Sequence, residues 1–188
     1  MKDADWLNRW MNELLVHSKG CPVLELGCGR GYDTQVLTDN GFEVIALDLS
    51  LDALGHCSDI ENSLLVNADL SCSLPFADNT FSFVLASLSL HYFSWQQTLA
   101  IAAEIRRVMI GGGMLLMRVN STDDVNFGAA QANEIDTNYY VYKGQKKRFF
   151  LKADVERMLQ EMTVIELWHE SIDRYGKEKN VWVAHAIA

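Results

Sequence analysis

The sequence lacks any apolar run long enough to cross a membrane, and residues 1–6 lack the apolar core of a signal peptide. It also lacks internal repeats, linkers and low-complexity segments. With 188 residues, 49% of them hydrophobic and 22% charged, the chain is long enough to bury a substantial core. These observations predict one globular domain over residues 1–188, located in the cytoplasm and without a membrane partner.

Basic residues and metal-binding patterns are also scarce. The net charge is −9, which argues against a nucleic-acid partner, because phosphates require a basic surface. The one basic cluster, Lys143–Arg148, is interpreted as a solvated loop, with capture of an anionic small substrate as the alternative. The cysteines form no C-x-x-C pair and adjoin no histidine cluster, so we expect no metal site and reduced thiols: Cys21, Cys28, Cys57 and Cys72.

Two short apolar runs near the N-terminus carry the most informative pattern. The first, Val23–Leu26, leads into three alternating glycines, and the second, Glu43–Asp48, ends in an aspartate. This order predicts a strand, a glycine-rich turn, a helix and a second parallel strand. Glycine lets the backbone approach a ligand closely, and an acid at the end of the second strand can bind a ribose diol. The pattern therefore predicts a site for a nucleoside-containing cofactor.

The acid before the glycines distinguishes between such cofactors. A dinucleotide fingerprint reads G-x-G-x-x-G and receives a pyrophosphate. Here Glu25 stands two residues before Gly27, where a carboxylate would repel a pyrophosphate but suits an ammonium group. Together with Gly29, Gly31 and Asp48, this pattern resembles the class I S-adenosylmethionine-dependent methyltransferases. A glycine turn that binds no ligand is the alternative.

The hydrophobic pattern predicts alternating helices and strands. Helices are expected at 3–16, 33–39, 51–57, 96–109 and 152–160, and strands at 23–26, 43–47, 64–67, 81–87, 114–119, 164–168 and 181–187. Gly111–Gly113 is expected to end the fourth helix. The alternation predicts an α/β fold with a doubly wound parallel sheet, and the last two strands are too close for a helical crossover. The resemblance implies a seven-stranded, Rossmann-like sheet with an antiparallel last strand.

The resemblance also implies which residues bind S-adenosylmethionine, at the carboxyl ends of the strands. The glycine turn would hold the methionine moiety, the acid after the second strand the ribose, the acid after the third the adenine, and the end of the fourth the sulfonium. The residues concerned are Glu25, Gly27, Cys28, Gly29, Gly31, Asp48, Leu49, Asp69, Leu70, Ser87 and Leu88. A turn-forming role is the alternative for Asp69.

The substrate side is predicted from Ser89–Phe93, the end of the fifth strand and the aromatic insertion 121–150. His91 is the candidate general base, with packing in an aromatic cluster as the alternative. The candidate substrate residues are Tyr92, Arg118, Asn120, Tyr139 and Tyr140. Pairing with a nearby acid is the alternative for Arg118, and plain packing is the alternative to a flap for the insertion.

The predicted activity is in-line methyl transfer from S-adenosylmethionine to a small-molecule acceptor. The segment Phe149–Glu156, followed by Trp168–Glu170, is similar to small bacterial family members of the tellurite-resistance type. Two alternatives stay open: a metalloid or chalcogen oxyanion as the acceptor, and a non-catalytic module that binds S-adenosylmethionine. A nicotinamide-dependent oxidoreductase is disfavoured by the glycine spacing.

Overall fold

The computed structural model describes residues 6–18, 20–126, 132–174 and 176–188, apart from the side chain of Tyr142. The helices are α1 (Met11–Ser18), α2 (Tyr32–Asp39), α3 (Leu51–His56), α4 (Trp95–Val108) and α5 (Lys152–Met158). The strands are β1 (Val23–Leu26), β2 (Val44–Asp48), β3 (Ser63–Asn67), β4 (Phe81–Ser87), β5 (Met109–Asn120), β6 (Asn133–Asp136), β7 (Tyr139–Tyr142), β8 (Gln145–Arg148), β9 (Thr163–Arg174) and β10 (Lys177–Ile187).

Seven strands form the main sheet, in the order β3-β2-β1-β4-β5-β10-β9. Strands β1 to β5 pair in parallel, whereas β10 runs antiparallel to both β5 and β9. The predicted α/β fold with an antiparallel last strand is therefore confirmed. The order reverses between β1 and β4, and in open sheets this switch point is where ligands bind.

Alternate residues of the central strand β4 point into two separate cores. Val84 and Ala86 belong to the cluster that contains α4 and α5 residues, such as Ile105. Phe83 and Leu85 belong to the opposite cluster, with α1, α2 and α3. A strand covered on both faces must be apolar at nearly every position, which is why β4 has the same bounds in the sequence and in the structure.

Gly111–Gly113 lie inside β5, so the prediction that they end the fourth helix, with the fifth strand starting at residue 114, was wrong. Strand β5 begins at Met109, and its register with β4 shifts between Phe81 and Phe83. Gly112 has φ +77°, and a Cβ on Gly113 would lie 3.0 Å from the carbonyl oxygen of Ile110. Glycine thus permits a bulge here that a side chain would block.

The predicted N-terminal helix is shorter than expected, because α1 begins at Met11 after a 3₁₀ turn at Asn8–Trp10. The first expected helical residues, 3–5, lie outside the described residues. Trp6 and Trp10 are both buried, and Nε1 of Trp6 donates to Asp33 on α2, next to the glycine turn. In the part of the chain that is described, no helix has both the length and the apolar character needed to span a bilayer.

The segment 121–150 forms a small antiparallel sheet, β6-β7-β8, where the sequence showed weak periodicity. Residues 127–131 lie outside the described residues. Arg148 anchors this sheet: it donates hydrogen bonds to the carbonyl oxygens of Phe93 (3.2 Å) and Thr137 (3.0 Å) and pairs with Asp136. The hydroxyl of Tyr139 donates to the carbonyl oxygen of Tyr92 at 3.1 Å. The small sheet is therefore fixed beside the turn that follows β4.

Candidate active site

A cleft of about 1090 Å³ lies over the carboxyl ends of the parallel strands. Of the eleven residues predicted to bind the cofactor, all except Gly31 line it. Gly31 instead packs below the turn, where a Cβ would lie 2.7 Å from the Sγ of Cys57. The motif in the sequence thus converges on one concave surface.

The glycine turn is held against β2 by three backbone donors. The amides of Gly27 and Cys28 both donate to the carbonyl oxygen of Leu47, at 2.7 and 3.0 Å. The amide of Gly29 donates to Oδ2 of Asp48 at 2.8 Å. Gly27 has φ +74°, and a Cβ there would lie 2.4 Å from the Cβ of Ser89. The turn therefore requires glycine both for its backbone conformation and for its close approach to the neighbouring loop.

Asp48 links the turn to the end of β2. Its Oδ2 accepts from Gly29, and its Oδ1 accepts from the amide of Ser50 at 2.9 Å. Each carboxylate oxygen can accept two hydrogen bonds, so both retain capacity for a diol. Leu49, 65% exposed, adds an apolar side chain to the cleft beside this carboxylate. Asp69 also lines the cleft while accepting from the amide of Ser71.

Glu25 places a buried carboxyl group in the floor of the cleft, with only 2% of its surface exposed. Burial, followed by the nearby charge of Asp33 and then that of Asp48, raises the pKa of Glu25 to about 8. The hydroxyl of Thr34 donates to its Oε2 at 2.6 Å and partly offsets this rise. A carboxyl group in such a position is suited to a cationic partner, which would supply the missing counter-charge.

Arg118 is fixed in the cleft wall by several partners. Its guanidinium donates to Oγ of Ser87 at 2.8 and 3.1 Å and lies 3.9 Å from a carboxylate oxygen of Asp33. The ring of Trp6 covers it, with 3.9 Å between the guanidinium carbon and the ring centroid. Trp6 in turn donates from Nε1 to Asp33 at 2.9 Å. Arg118 thus lines the cleft and also pairs with an acid.

Two residues that follow β4 have unfavourable features at the cleft wall: one has a strained backbone and the other an unsatisfied hydroxyl. Leu88 lines it with φ +56°, a conformation that is costly for a residue other than glycine. Ser89 also lines it, and its buried Oγ has no hydrogen-bond partner among the described residues. A bound molecule with a polar group would satisfy this hydroxyl.

The predicted substrate residues divide into two groups. Tyr92 lines the cleft together with Arg118, whereas Asn120, Tyr139 and Tyr140 do not. Asn120 is fully buried and accepts from Nζ of Lys179 at 2.6 Å. The hydroxyl of Tyr139 donates a hydrogen bond to the carbonyl oxygen of Tyr92, and the ring of Tyr140 packs edge-on against that of Phe149.

His91 lies behind the cleft wall and not among its lining residues. It is 4% exposed, and its ring centroid lies 4.2 Å from that of Tyr92. Burial, together with the charges of Lys179, Lys147 and Arg174, holds the pKa of His91 well below its ordinary 6.5. The imidazole is therefore neutral at physiological pH.

Several lining residues are not among the predicted site residues. Those near the motifs are Arg30, Tyr32, Asp33, Leu47, Ala53 and Ala68, and those on the C-terminal hairpin are Asp173, Arg174 and Gly176. The first group could have been found from its proximity to the glycine turn and the strand ends. The hairpin residues follow the motif by more than a hundred positions, and only folding brings them to the cleft.

The cleft fits S-adenosylmethionine in its donors and acceptors: a buried acid, a glycine turn, a second acid and an unsatisfied hydroxyl surround one space. Burial raises the pKa of the Cys28 thiol, which keeps this lining residue uncharged. Among the residues that the structure describes, no group of three or more histidine, cysteine or acidic side chains is arranged to hold a metal ion.

The sequence is similar to known methyltransferases. The family model described as "Methyltransferase domain" matches residues 24–117, which is half of the chain. An uncharacterized methyltransferase from Synechocystis is 34% identical over 106 residues, covering 56% of this chain and 50% of that protein. The chain spans about half, or less, of the length of the first curated relatives that it matches.

Solved structures share the fold. A SAM-dependent methyltransferase from Methanosarcina mazei has a TM-score of 0.75 at 16% identity, covering 88% of this chain and 91% of that one. A 1,6-didemethyltoxoflavin-N1-methyltransferase from Burkholderia thailandensis, solved with 1,6-didemethyltoxoflavin and S-adenosylhomocysteine, has a TM-score of 0.73 at 19% identity. The latter match covers 98% of this chain and 79% of that one.

Proposed function

Because this chain belongs to the methyltransferase domain family, we propose that it transfers a methyl group from S-adenosylmethionine to a small-molecule acceptor. The observation that carries the proposal is the pair of carboxyl groups, Glu25 and Asp48, on either side of a glycine turn in one cleft. The first matches an ammonium group and the second a ribose diol. The proposed unit is a single domain over residues 1–188.

Each end of the cleft has a proposed task in binding the cofactor. Glu25 and the turn at Gly27–Gly29 hold the amino-acid end, and Asp48 with Leu49 holds the ribose and flanks the adenine. Asp69 and Leu70 contact the adenine, while Ser87 and Leu88 line the sulfonium end. Gly31 supports the turn from below, as its packing against Cys57 suggests.

Bound S-adenosylmethionine supplies a methyl group on a sulfonium, with a thioether as its leaving group. The chain must therefore position an acceptor in line and exclude water, and orientation alone contributes on the order of 7–11 kcal/mol in favourable intramolecular models. Leu88, Tyr92 and Phe93 provide the wall for this purpose. A general base is required only when the accepting atom is protonated at neutral pH, and a thiolate or an oxyanion has no proton to lose, so no proton transfer is assigned to His91.

The acceptor is proposed to be a small molecule and not a nucleic acid, since the chain is acidic and the cleft is bordered by the hairpin and the turn after β4. The segment 121–150 is proposed to support this side of the cleft. Its described residues act through the hydrogen bonds that Arg148 and Tyr139 donate to the carbonyl oxygens of Phe93 and Tyr92.

Calorimetric titration and a turnover assay test the proposal together. S-adenosylmethionine and S-adenosylhomocysteine should both bind with one-to-one stoichiometry, and a screen of small acceptors should stimulate S-adenosylhomocysteine release. Binding without turnover for any acceptor would indicate a non-catalytic binding module. An absence of heat for both compounds, with NAD binding instead, would refute the cofactor assignment.

Replacement of Asp48 gives a variant-based prediction. Asp48→Ala removes the acceptor of the ribose hydroxyls and frees the Gly29 amide, so we expect S-adenosylmethionine affinity to fall at least tenfold, or about 1.4 kcal/mol. The control is Asp52→Ala, at an exposed carboxylate in the first turn of α3. Unchanged affinity in Asp48→Ala, measured by calorimetry, would contradict the ribose assignment.

A further inference from the structure

A group of basic side chains meets at the end of β5, on the acceptor side of the cleft. Asn120 joins three elements there: its Oδ1 accepts from Nζ of Lys179 on β10 at 2.6 Å, and its Nδ2 donates to the carbonyl oxygen of Arg148 on β8 at 3.4 Å. Lys179 also donates to Asp124 at 3.0 Å. This network positions β8, and with it Lys147, next to the buried Lys179.

Three cations act on one another at this place. Lys179 is 3% exposed, and burial lowers its pKa to about 8, with the charges of Lys147 and Arg174 acting in the same direction. Burial and the charge of Arg174 also lower the pKa of Lys147. Asp124 is the carboxylate that opposes these effects.

His91 provides an independent observation at the same location. Its imidazole is buried, and the three cations Lys179, Lys147 and Arg174 all act on it. Its Nδ1 has no hydrogen-bond partner among the residues described. His91 does not line the cleft, so its neutral imidazole belongs to the buried wall that separates these cations from solvent.

The charged side chains that line the cleft differ between its two ends. Three acids and one arginine line the cofactor end (Glu25, Asp48, Asp69 and Arg30), whereas Arg174 lines the end formed by the hairpin. Asp173 also lies at the hairpin end, but its Oδ1 accepts from the amide of Gly176 at 3.0 Å and closes the hairpin turn. The chain has fewer basic than acidic residues and a net charge of −9, so a cluster of three basic side chains is unusual in it.

We propose that the methyl acceptor is an organic molecule bearing an oxyanion, such as a carboxylate or phosphate group, which binds at Arg174 with Lys147 and Lys179 behind it. This inference rests on the proposed function and names the substrate class of the same cleft. Arg174 is the lining contact. Lys147 and Lys179 contribute positive potential through a poorly hydrated wall, where charges are weakly screened.

The dimensions of the cleft favour an organic body over a small inorganic oxyanion. Ligand pockets commonly measure roughly 300–1,000 Å³, so a cleft of about 1090 Å³ has room for a nucleoside cofactor and a second molecule. Tyr92 and Phe93 line it between the cofactor end and the hairpin, and aromatic side chains offer a large contact area to an organic ligand.

Titration of the full chain with three probes, in saturating S-adenosylhomocysteine, tests the inference. Benzoate is the organic oxyanion, benzamide its neutral isostere, and selenite an inorganic oxyanion. We expect benzoate to bind at least tenfold more tightly than benzamide and more tightly than selenite. Lys147→Gln and Arg174→Gln should each weaken benzoate binding about fivefold or more. Lys146→Gln removes an exposed charge from the same strand and should leave it unchanged.

The outcomes separate this inference from the function on which it rests. If S-adenosylhomocysteine itself gives no heat, the proposed function fails. If it binds while benzoate binds no better than benzamide, or not at all, only the oxyanion inference is overturned. Equal losses in Lys147→Gln and Lys146→Gln would also overturn it, because they would indicate a general charge effect. Tighter binding of selenite than of benzoate would refute the organic body.

Discussion

Glu25 shows how one residue can couple cofactor binding to pH. Its carboxyl group is buried beside two other acids, so the free protein holds a proton there up to a pH of about 8. An ammonium group bound against it would favour the charged form and release that proton. The residue therefore contributes fully to cofactor binding only after it ionises.

This coupling predicts that the affinity for S-adenosylmethionine rises as the pH increases from 6 to about 8 and then levels off. Calorimetry in two buffers of different ionisation enthalpy should detect release of up to one proton per cofactor bound at the lower pH. Glu25→Gln should bind more weakly and release no proton, whereas Glu43→Gln, at an exposed acid before β2, should match the wild type. Proton release that persists in Glu25→Gln would assign the coupling to another group.

At the scale of elements, the glycine turn depends on one contact with the loop after β4. Gly27→Ala adds a methyl group 2.4 Å from the Cβ of Ser89 in a left-handed conformation, while Gly29→Ala meets only the conformational penalty. Gly29→Ala should cost about 1–2 kcal/mol, and Gly27→Ala a further 1–3 kcal/mol or so. Ser89→Gly should recover most of that difference in the double variant. Equal urea denaturation midpoints for the two alanine variants would contradict this reading of the turn.

Elements whose local pattern is strong were predicted well. β4 is apolar along its length, and its bounds in the sequence and in the structure agree at Phe81–Ser87. β8 was missed, because Lys146–Arg148 is a run of charges without alternation. It pairs with β7 along its length, and the buried Arg148 donates to the carbonyl oxygens of Phe93 and Thr137. Local periodicity reports burial on one face of an element, and it carries no information about bonds to distant backbone.

The same distinction applies to the site. The turn and Asp48 lie within one βαβ unit, so their spacing in the sequence implied their proximity in space. Arg174 reaches the cleft by the extension of the β9–β10 hairpin, and Trp6 supports the cleft wall by covering Arg118. Residues that shape the acceptor side come from both ends of the chain, which a local motif cannot reveal.

For the whole molecule, a net charge of −9 with acids around the cofactor end implies electrostatic steering. At neutral pH S-adenosylmethionine carries one net positive charge, and S-adenosylhomocysteine carries none, because it lacks the sulfonium. The association rate of the first should therefore fall at least about threefold as salt increases from about 10 mM to about 1 M, as the Debye length shrinks from about 30 to 3 Å. The rate of the second should change little. Stopped-flow tryptophan fluorescence, with Trp6 over Arg118 as a reporter, measures both. The same salt dependence for both compounds would show that the field of the acidic chain does not guide the cofactor into the cleft.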